Sequence, residues 1–343
     1  MPLKAAHNID KICSSLDFHP DSGHVGSGIE KLYDAAREAQ GGEPLTYLAA
    51  KGLVDNVESG DTVFVVTGTG IDIWCPEGES DGPIGCAALA RGLTKALNAK
   101  VVAICEDGMA PSLKASIMAA GEFLYKEEYF MELTGNAVTF EAFPLGEEAG
   151  KVRAKELVEK YNPKAMIFVE RLGPNEAGIY HFVTGTVNGP DDMSYGHYLV
   201  EEAEKAGIFT IGIGDGGNEI GFGKIHDKVK ELTEFGAKCK CPCGKGMATV
   251  TATDVLVAAT ISNWGAYGIV AMLAILKNNP DILHDTRTEY RMIEACAMNG
   301  AIDGMFLKPI LSVDGVGVEG NQAILTLMHE TVKKSLMHFE RAF

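Results

Sequence analysis

Short apolar runs alternate along the chain with longer amphipathic stretches, and this alternation predicts strands and helices in turn. The predicted strands are residues 62–67, 100–105, 137–143, 165–170, 209–214 and 255–259. The predicted helices are residues 28–40, 83–97, 111–120, 147–161, 195–205, 263–276, 287–298 and 320–339. Strands that alternate with helices are typical of a mostly parallel sheet with helices on both faces. We therefore predict a Rossmann-like three-layer α/β sandwich, built as one domain over residues 1–343 with inserted loops at about 69–80 and 236–250.

The composition excludes some classes of function. The net charge of −17 is unsuited to nucleic acid or anionic membrane, since both require clustered Lys and Arg. No apolar run reaches the roughly 18 residues of a membrane span. Residues 1–20 lack the basic and apolar regions of a signal peptide. Four of the eight cysteines stand singly in or near apolar segments, which predicts reduced thiols and a cytoplasmic location.

The densest cluster of candidate chemistry follows the strand at 209–214. Asp215, Asn218 and Glu219 lie there on a turn that also contains Gly216 and Gly217. Glycine permits positive φ and close approach of the backbone to a ligand, and ligands bind at the carboxyl ends of parallel strands. Two carboxylates would repel an unchelated phosphate, so the turn indicates metal or amine chemistry. The alternative is a tight turn in which the aspartate is a helix N-cap.

A second group of polar residues follows the strand that ends at Thr67-Gly68. The segment Glu79-Ser80-Asp81-Gly82-Pro83 leads into a predicted helix, and either its serine or its aspartate can cap that helix. The free N–H groups of the first turn would bind a carboxylate, with Glu79 beside them as a base or metal ligand. The alternative is a capped helix without a ligand.

Two further strand ends carry polar side chains. Glu170 and Arg171 follow an apolar strand directly, so they either face a cleft, where the arginine could clamp a substrate carboxylate, or form a salt bridge. His181 is a candidate base on the same rim, although a single histidine is more often structural. Ser262 and Asn263 follow the strand at 255–259, and the asparagine suits an amide or carboxylate substrate or else caps a helix.

Two motifs carry weaker signals. The glycine-rich stretch 23–28 precedes a helix as a phosphate loop does, but it lacks the Lys and Ser/Thr of a Walker motif. Cys239, Cys241 and Cys243 resemble half of a zinc or cluster site. Their spacing is tighter than the usual two residues and no second pair lies nearby in the sequence, which favours a solvent-exposed thiol-rich loop.

Together these motifs resemble the C-terminal domain family of D-glutamate cyclase, formerly a domain of unknown function. The resemblance extends in family order from about residue 23 to 335. The matching motifs are Thr67-Gly68, Glu79-Ser80-Asp81-Gly82-Pro83-Ile84-Gly85, Phe168-Val169-Glu170-Arg171, Gly214-Asp215-Gly216-Gly217-Asn218-Glu219-Ile220-Gly221, Ser262-Asn263-Trp264-Gly265, and Asp303-Gly304 with Asp314-Gly315. The resemblance implies a lyase that interconverts D-glutamate and 5-oxo-D-proline plus water.

A mechanism for that reaction assigns roles to the candidate residues. A divalent cation, Mg²⁺ or Mn²⁺, would be held by Asp215, Glu219 and Glu79 and act as a Lewis acid. One of these acids, or His181, would deprotonate the substrate ammonium group. Arg171 would hold the α-carboxylate. The other candidate substrate-binding residues are Thr67, Gly68, Asp81, Glu170, Gly216, Gly217, Asn218, Ser262 and Asn263.

Other expectations concern partners and alternatives. The mammalian enzyme that names the family has a separate hydro-lyase-like domain before this one, so we expect a small-molecule substrate and a separate hydro-lyase chain as a partner. Residues 69–75 and the three-cysteine loop depart from the family pattern. Self-association into a homo-oligomer is compatible with such an enzyme. The alternatives are a non-catalytic ligand-binding domain that partners a hydro-lyase, and a phosphate- or nucleotide-handling enzyme.

Overall fold

A parallel sheet forms the centre of the protein. The computed structural model describes residues 3–16, 28–68, 75–189 and 191–337. Within them, one sheet contains β1 (Thr62–Thr67), β2 (Lys100–Cys105), β3 (Ala137–Ala142), β4 (Ala165–Val169), β5 (Phe209–Gly214) and β6 (Val255–Ala258). The order is β3-β2-β1-β4-β5-β6 and each neighbouring pair is parallel. The order reverses between β1 and β4, and in such sheets ligands bind in the crevice outside the strand ends at that point.

The helices account for the other two layers. In the described residues they are α1 (Leu3–Ser14), α2 (Ile29–Ala39), α3 (Leu45–Asn56), α4 (Pro83–Leu97), α5 (Ala110–Ala119), α6 (Glu127–Glu132), α7 (Glu147–Tyr161), α8 (His197–Ala206), α9 (His226–Leu232), α10 (Ser262–Leu276), α11 (Thr286–Met298) and α12 (Val318–Leu336). A short antiparallel hairpin joins β7 (Ser312–Val313) to β8 (Val316–Gly317). The predicted fold class is confirmed. Helices α1, α3, α6 and α9 and the hairpin were not predicted.

Both faces of the sheet are covered, which explains the nearly continuous apolar character of the strands. In β1, Val63 and Val65 belong to one core, which also contains buried side chains of α1 to α5 and α9 to α12. Phe64 and Val66 belong to the opposite core, with α6, α7 and α8. Alternate residues of one strand therefore support different helical layers.

Helix α10 is the most deeply buried helix near the site. All its residues from Ser262 to Ile275 are buried, because it packs against α1, α3, α4 and α12. Its burial accounts for the long apolar run that begins at β6. In the part of the chain that the structure describes, no helix is long and apolar enough to cross a membrane. The first residues of α10 are thereby fixed beside the carboxyl ends of the strands.

Some predictions fall outside the described residues. They concern most of the glycine-rich stretch 23–28, residues 69–74 of the first predicted insertion, and the end of the last predicted helix after residue 337. The second predicted insertion, 236–250, is described and contains neither helix nor strand. It packs close to the turn that follows β5, because Thr249 N donates to Gly217 O at 3.2 Å.

Candidate active site at the sheet switch point

Asn263, from the start of α10, caps the start of α4. Its Oδ1 accepts hydrogen bonds from Gly82 N at 2.9 Å and Gly85 N at 2.6 Å. Its Nδ2 donates to Ser80 O at 3.0 Å. The prediction that a residue of the preceding segment caps α4 is therefore wrong, and the cap comes from another helix. The Asn263 amide is engaged at both ends by backbone groups.

Asp81, in turn, caps the start of α10. Its Oδ2 accepts from Ser262 N and its Oδ1 from Asn263 N, both at 2.8 Å. Oδ1 also accepts from Gly82 N at 3.0 Å. The carboxylate thus satisfies N–H groups that have no partner within the helix, at the positive end of the helix dipole. Asn263 of α10 thus caps α4, and Asp81, from the segment just before α4, caps α10.

Three carboxyl groups meet at this point. Single oxygen atoms of Asp81, Glu170 and Asp215 lie within 4.8 Å of one another. They come from the loop after β1, the end of β4 and the end of β5. The Glu170 backbone has a φ of 48°, which is unusual for a residue other than glycine. Its carboxylate accepts a hydrogen bond from Ser262 Oγ at 2.6 Å, which orients it within the cluster.

Burial and mutual repulsion disfavour the ionised forms of these acids. Burial raises the pKa of Asp81 to about 7, and the charge of Glu79 contributes to this rise. Burial also raises the pKa of Glu170 and of Asp215 well above the usual range, and neighbouring carboxylates raise both further. Within the described residues, no ion pair joins a basic side chain to any of the three. The cluster is therefore suited to holding a cation or protons.

Glu219 lies under the turn rather than in the cluster. Its Oε1 accepts from Asp215 N at 2.9 Å and Gly216 N at 2.8 Å, and its Oε2 accepts from Gly217 N at 2.7 Å. Gly217 has a φ of 101°, and a Cβ there would lie 2.5 Å from Val229 Cγ1. The glutamate and the glycines therefore shape the turn that presents Asp215.

Two further acids lie at the rim of the cluster. A Cβ added at Gly304 would lie 2.6 Å from Glu79 Oε2 and 3.0 Å from Asp314 Oδ1, so both carboxyl groups flank this glycine. Asp314 occupies the turn between β7 and β8 with a φ of 46°. Burial raises the pKa of Asp314 well above its usual range, and the charge of Asp81 adds to the shift. The sequence indicated Asp314 only through the Asp314-Gly315 motif of the family resemblance.

Arg171 forms a buried salt bridge, which is one of the two alternatives left open by the sequence. Its Nη1 donates to Glu106 Oε1 at 2.7 Å and to Thr67 O at 3.0 Å. Its Nη2 donates to the carbonyl of Ser194. Both members of the pair are 1% exposed, so the two Nη groups are committed to the protein. The buried Nε has no hydrogen-bond partner among the described residues. Sequence reasoning missed Glu106, although it directly follows β2 just as Glu170 follows β4 and Asp215 follows β5.

The same ion pair explains the glycine after β1. Gly68 has a φ of 117°, and a Cβ there would lie 2.3 Å from Glu106 Oε2 and 2.5 Å from Arg171 Nη1. Beside it, Thr67 Oγ1 and Glu106 Oε2 are buried without a hydrogen-bond partner among the described residues. Buried polar atoms rarely remain so, which marks this side of the crevice as a place where polar groups of a ligand or water belong.

His181 lies with the cysteines instead of the acids. Its Nε2 is 3.3 Å from Cys241 Sγ, and its carbonyl accepts from Asn218 Nδ2 at 3.0 Å. The expectation of a solvent-exposed thiol loop is wrong, because Cys239 is buried and Cys241 and Cys243 are half-buried. The predicted site residues thus separate into an acid cluster, a supporting ion pair, and a histidine–cysteine group.

The fold and the site define an α/β protein with a carboxylate-lined crevice at the switch point of a doubly wound sheet. The family described as D-glutamate cyclase-like, C-terminal, matches residues 21–329, and the chain belongs to that family. The human protein named D-glutamate cyclase, mitochondrial, is 28% identical over 213 residues. That match covers 59% of this chain and 30% of the human protein. The aligned region is therefore under a third of the relative's length.

Proposed function

We propose that this chain is a lyase that interconverts D-glutamate and 5-oxo-D-proline plus water. The observation that carries the proposal is the convergence of Asp81, Glu170 and Asp215 within 4.8 Å at the crevice where the strand order reverses. The name of the human relative supports the choice of substrate. A reducing compartment such as the cytoplasm is part of the proposal, since no disulfide bond joins any of the eight cysteines, all of which lie within the described residues.

The donor set fits a hard divalent cation. Carboxylate oxygens are the preferred ligands of Mg²⁺ and Mn²⁺. Asp81, Glu170 and Asp215 would hold the ion, in place of the set Asp215, Glu219 and Glu79 expected from the sequence. Glu219 is less suited, because its carboxylate lies under the turn and is not among the oxygen atoms that converge within 4.8 Å of one another. When bound, the ion would neutralise the substrate carboxylate and polarise its carbon–oxygen bond.

The charge of the substrate strengthens the argument for a cation. D-Glutamate carries two carboxylates, which a cluster of acids repels. Arg171, the predicted clamp, is committed to Glu106 at 2.7 Å. An ion between the acids and the substrate would reverse this repulsion, since charges in a buried site interact more strongly than in water.

The proton transfers fall to acids at the rim. In cyclisation the substrate nitrogen gives up two protons, one carboxyl oxygen takes up two, and that oxygen leaves as water. Glu79 and Asp314 flank Gly304 beside the cluster, where they can accept the protons and return them. His181 is engaged with the cysteine group, so we assign it no proton transfer.

One observation favours a second candidate. Because the match covers only 30% of the human protein, the chain could act as a ligand-binding partner of a separate hydro-lyase chain. This candidate predicts binding of D-glutamate without turnover. A phosphate- or nucleotide-handling role has less support, because the acid cluster repels unchelated phosphate.

The test is turnover of D-glutamate and of 5-oxo-D-proline by the purified chain, with Mn²⁺, Mg²⁺ or a chelator. The proposal predicts metal-dependent interconversion that Asp215→Asn abolishes while the variant stays folded. Asp191→Asn, at an exposed aspartate, is the matched control and should retain activity. A rise in melting temperature with D-glutamate but no turnover would favour the binding partner. If D-glutamate gave neither turnover nor a rise in melting temperature, both candidate functions would be refuted.

A further inference from the structure

We propose that His181, Cys239, Cys241 and Cys243 bind a structural Zn²⁺ ion. One nitrogen and three sulfur atoms of these side chains all lie within 4.8 Å of one another. The group is separate from the acid cluster, and the proposed reaction does not use it. The proposal is therefore independent of the proposed function.

The distances agree with tetrahedral coordination. A zinc ion with Zn–S near 2.3 Å and Zn–N near 2.0 Å places its ligand atoms about 3.5–3.8 Å apart. Here Cys239 Sγ is 3.5 Å from Cys241 Sγ and 3.4 Å from Cys243 Sγ. His181 Nε2 is 3.3 Å from Cys241 Sγ and 3.9 Å from Cys243 Sγ. These sulfur atoms are too far apart for a disulfide, whose bond is about 2.05 Å.

The histidine is oriented as a zinc ligand requires. His181 Nδ1 is 3.1 Å from Ile179 O, and a hydrogen bond from Nδ1 leaves Nε2 free to bind metal. Asn175 fixes this arrangement, because its Oδ1 accepts from Ile179 N at 3.1 Å. Its Nδ2 also points to Cys243 Sγ at 3.5 Å, which stabilises a thiolate.

The ligand set is closed, which indicates a structural ion. Catalytic zinc sites keep a position for water or substrate, whereas Cys₃His sites use all four positions. His181 is 0% exposed and Cys239 6%, and Cys241 and Cys243 are half-buried. Soft thiolates with one imidazole select zinc over the hard cations suited to the acid cluster.

The ion would connect two segments that support the active site. His181 pairs with Val187 in a second hairpin, residues 181–187. This hairpin contacts the turn after β5, because Asn218 Nδ2 donates to His181 O at 3.0 Å. The cysteine loop contacts the hairpin through Lys240 N, which donates to Gly185 O at 2.9 Å. A zinc ion shared by hairpin and loop would hold both against the turn that carries Asp215.

The experiment is metal analysis of the whole chain, purified without added metal. We expect elemental mass spectrometry to find one zinc ion per chain. Cys241→Ser should lose most of the zinc, and Cys75→Ser, a half-buried cysteine outside the group, should retain it. Chelation of zinc from the wild type should lower its melting temperature, whether or not the chain turns over substrate.

A second measurement keeps the test valid if Cys241→Ser fails to fold. Wild-type protein loaded with Co²⁺ should give the visible absorption and thiolate charge-transfer bands of a tetrahedral site. Three results would each overturn the proposal: zinc-free wild type with free thiols or a disulfide, iron in place of zinc, or full zinc occupancy in Cys241→Ser.

Discussion

Replacement of Arg171 by methionine separates a structural role of this residue from substrate binding. The side chain is 1% exposed and donates to Glu106, to Thr67 O and to the carbonyl of Ser194. Its removal leaves the Glu106 carboxylate buried at 1% exposure without a counter-charge. Breaking such a buried pair from one side costs about 3–5 kcal/mol. We expect Arg171→Met to lower the free energy of unfolding by that amount.

The assay is urea denaturation, followed by far-UV circular dichroism. The double variant Arg171→Met with Glu106→Gln should recover part of the loss, because no unpaired charge remains buried. Lys155→Met breaks an exposed pair with Glu159 and serves as the control, with an expected effect of about 0–1 kcal/mol. A loss below about 1 kcal/mol for Arg171→Met would refute the reasoning. A raised KM with unchanged stability would instead assign the arginine to the substrate.

Three further predictions concern capping, a glycine and a histidine. Asn263→Ala leaves two N–H groups and a carbonyl without their partner, so urea denaturation should show a loss of about 3–5 kcal/mol in the free energy of unfolding. The control Asn299→Ala, at an exposed asparagine, should lose about 0.5 kcal/mol or less. Gly68→Ala should lower the melting temperature more than Gly121→Ala, because both glycines have positive φ but only at residue 68 does a Cβ meet the ion pair; equal shifts would contradict this. Burial lowers the pKa of His197 to about 4, so the unfolded chain binds more protons below pH 6.5 and stability falls on acidification. Between pH 7 and pH 5 the wild type should lose about 2 kcal/mol more than His197→Asn, and parallel pH profiles would contradict the assignment.

The strands could be predicted because both faces of the sheet are covered. Burial on two sides demands apolar residues at successive positions, and residues 63–66 of β1 and the whole of β4 meet that demand. Helix α3 could not be predicted in the same way, since Gly52 interrupts it as a helix breaker would. The structure explains that glycine: a Cβ there would lie 2.2 Å from the ring of Phe209 on β5.

The acids of the site could be predicted individually, but their partners could not. A strand end followed by a carboxylate is a local signal, and it found Glu170 and Asp215. The partner of Arg171 lies 65 residues away, and Cys241 lies 60 residues from His181. Such pairs depend on strand order and loop packing, which no local pattern encodes. For this reason the histidine was placed with the acids and the cysteine loop in solvent.

The mutual capping of α4 and α10 determines when the crevice can fold during synthesis of the chain. The residues that cap each other are 181 positions apart along the chain, for example Gly82 and Asn263. At about 5–20 residues per second, the ribosome adds this interval in roughly 10–40 s. Throughout that time the start of α4 has no cap and Asp81 has no helix to bind. The emerging chain therefore completes the crevice only after α10 has left the ribosome, and a truncated chain that ends before residue 263 would lack both caps.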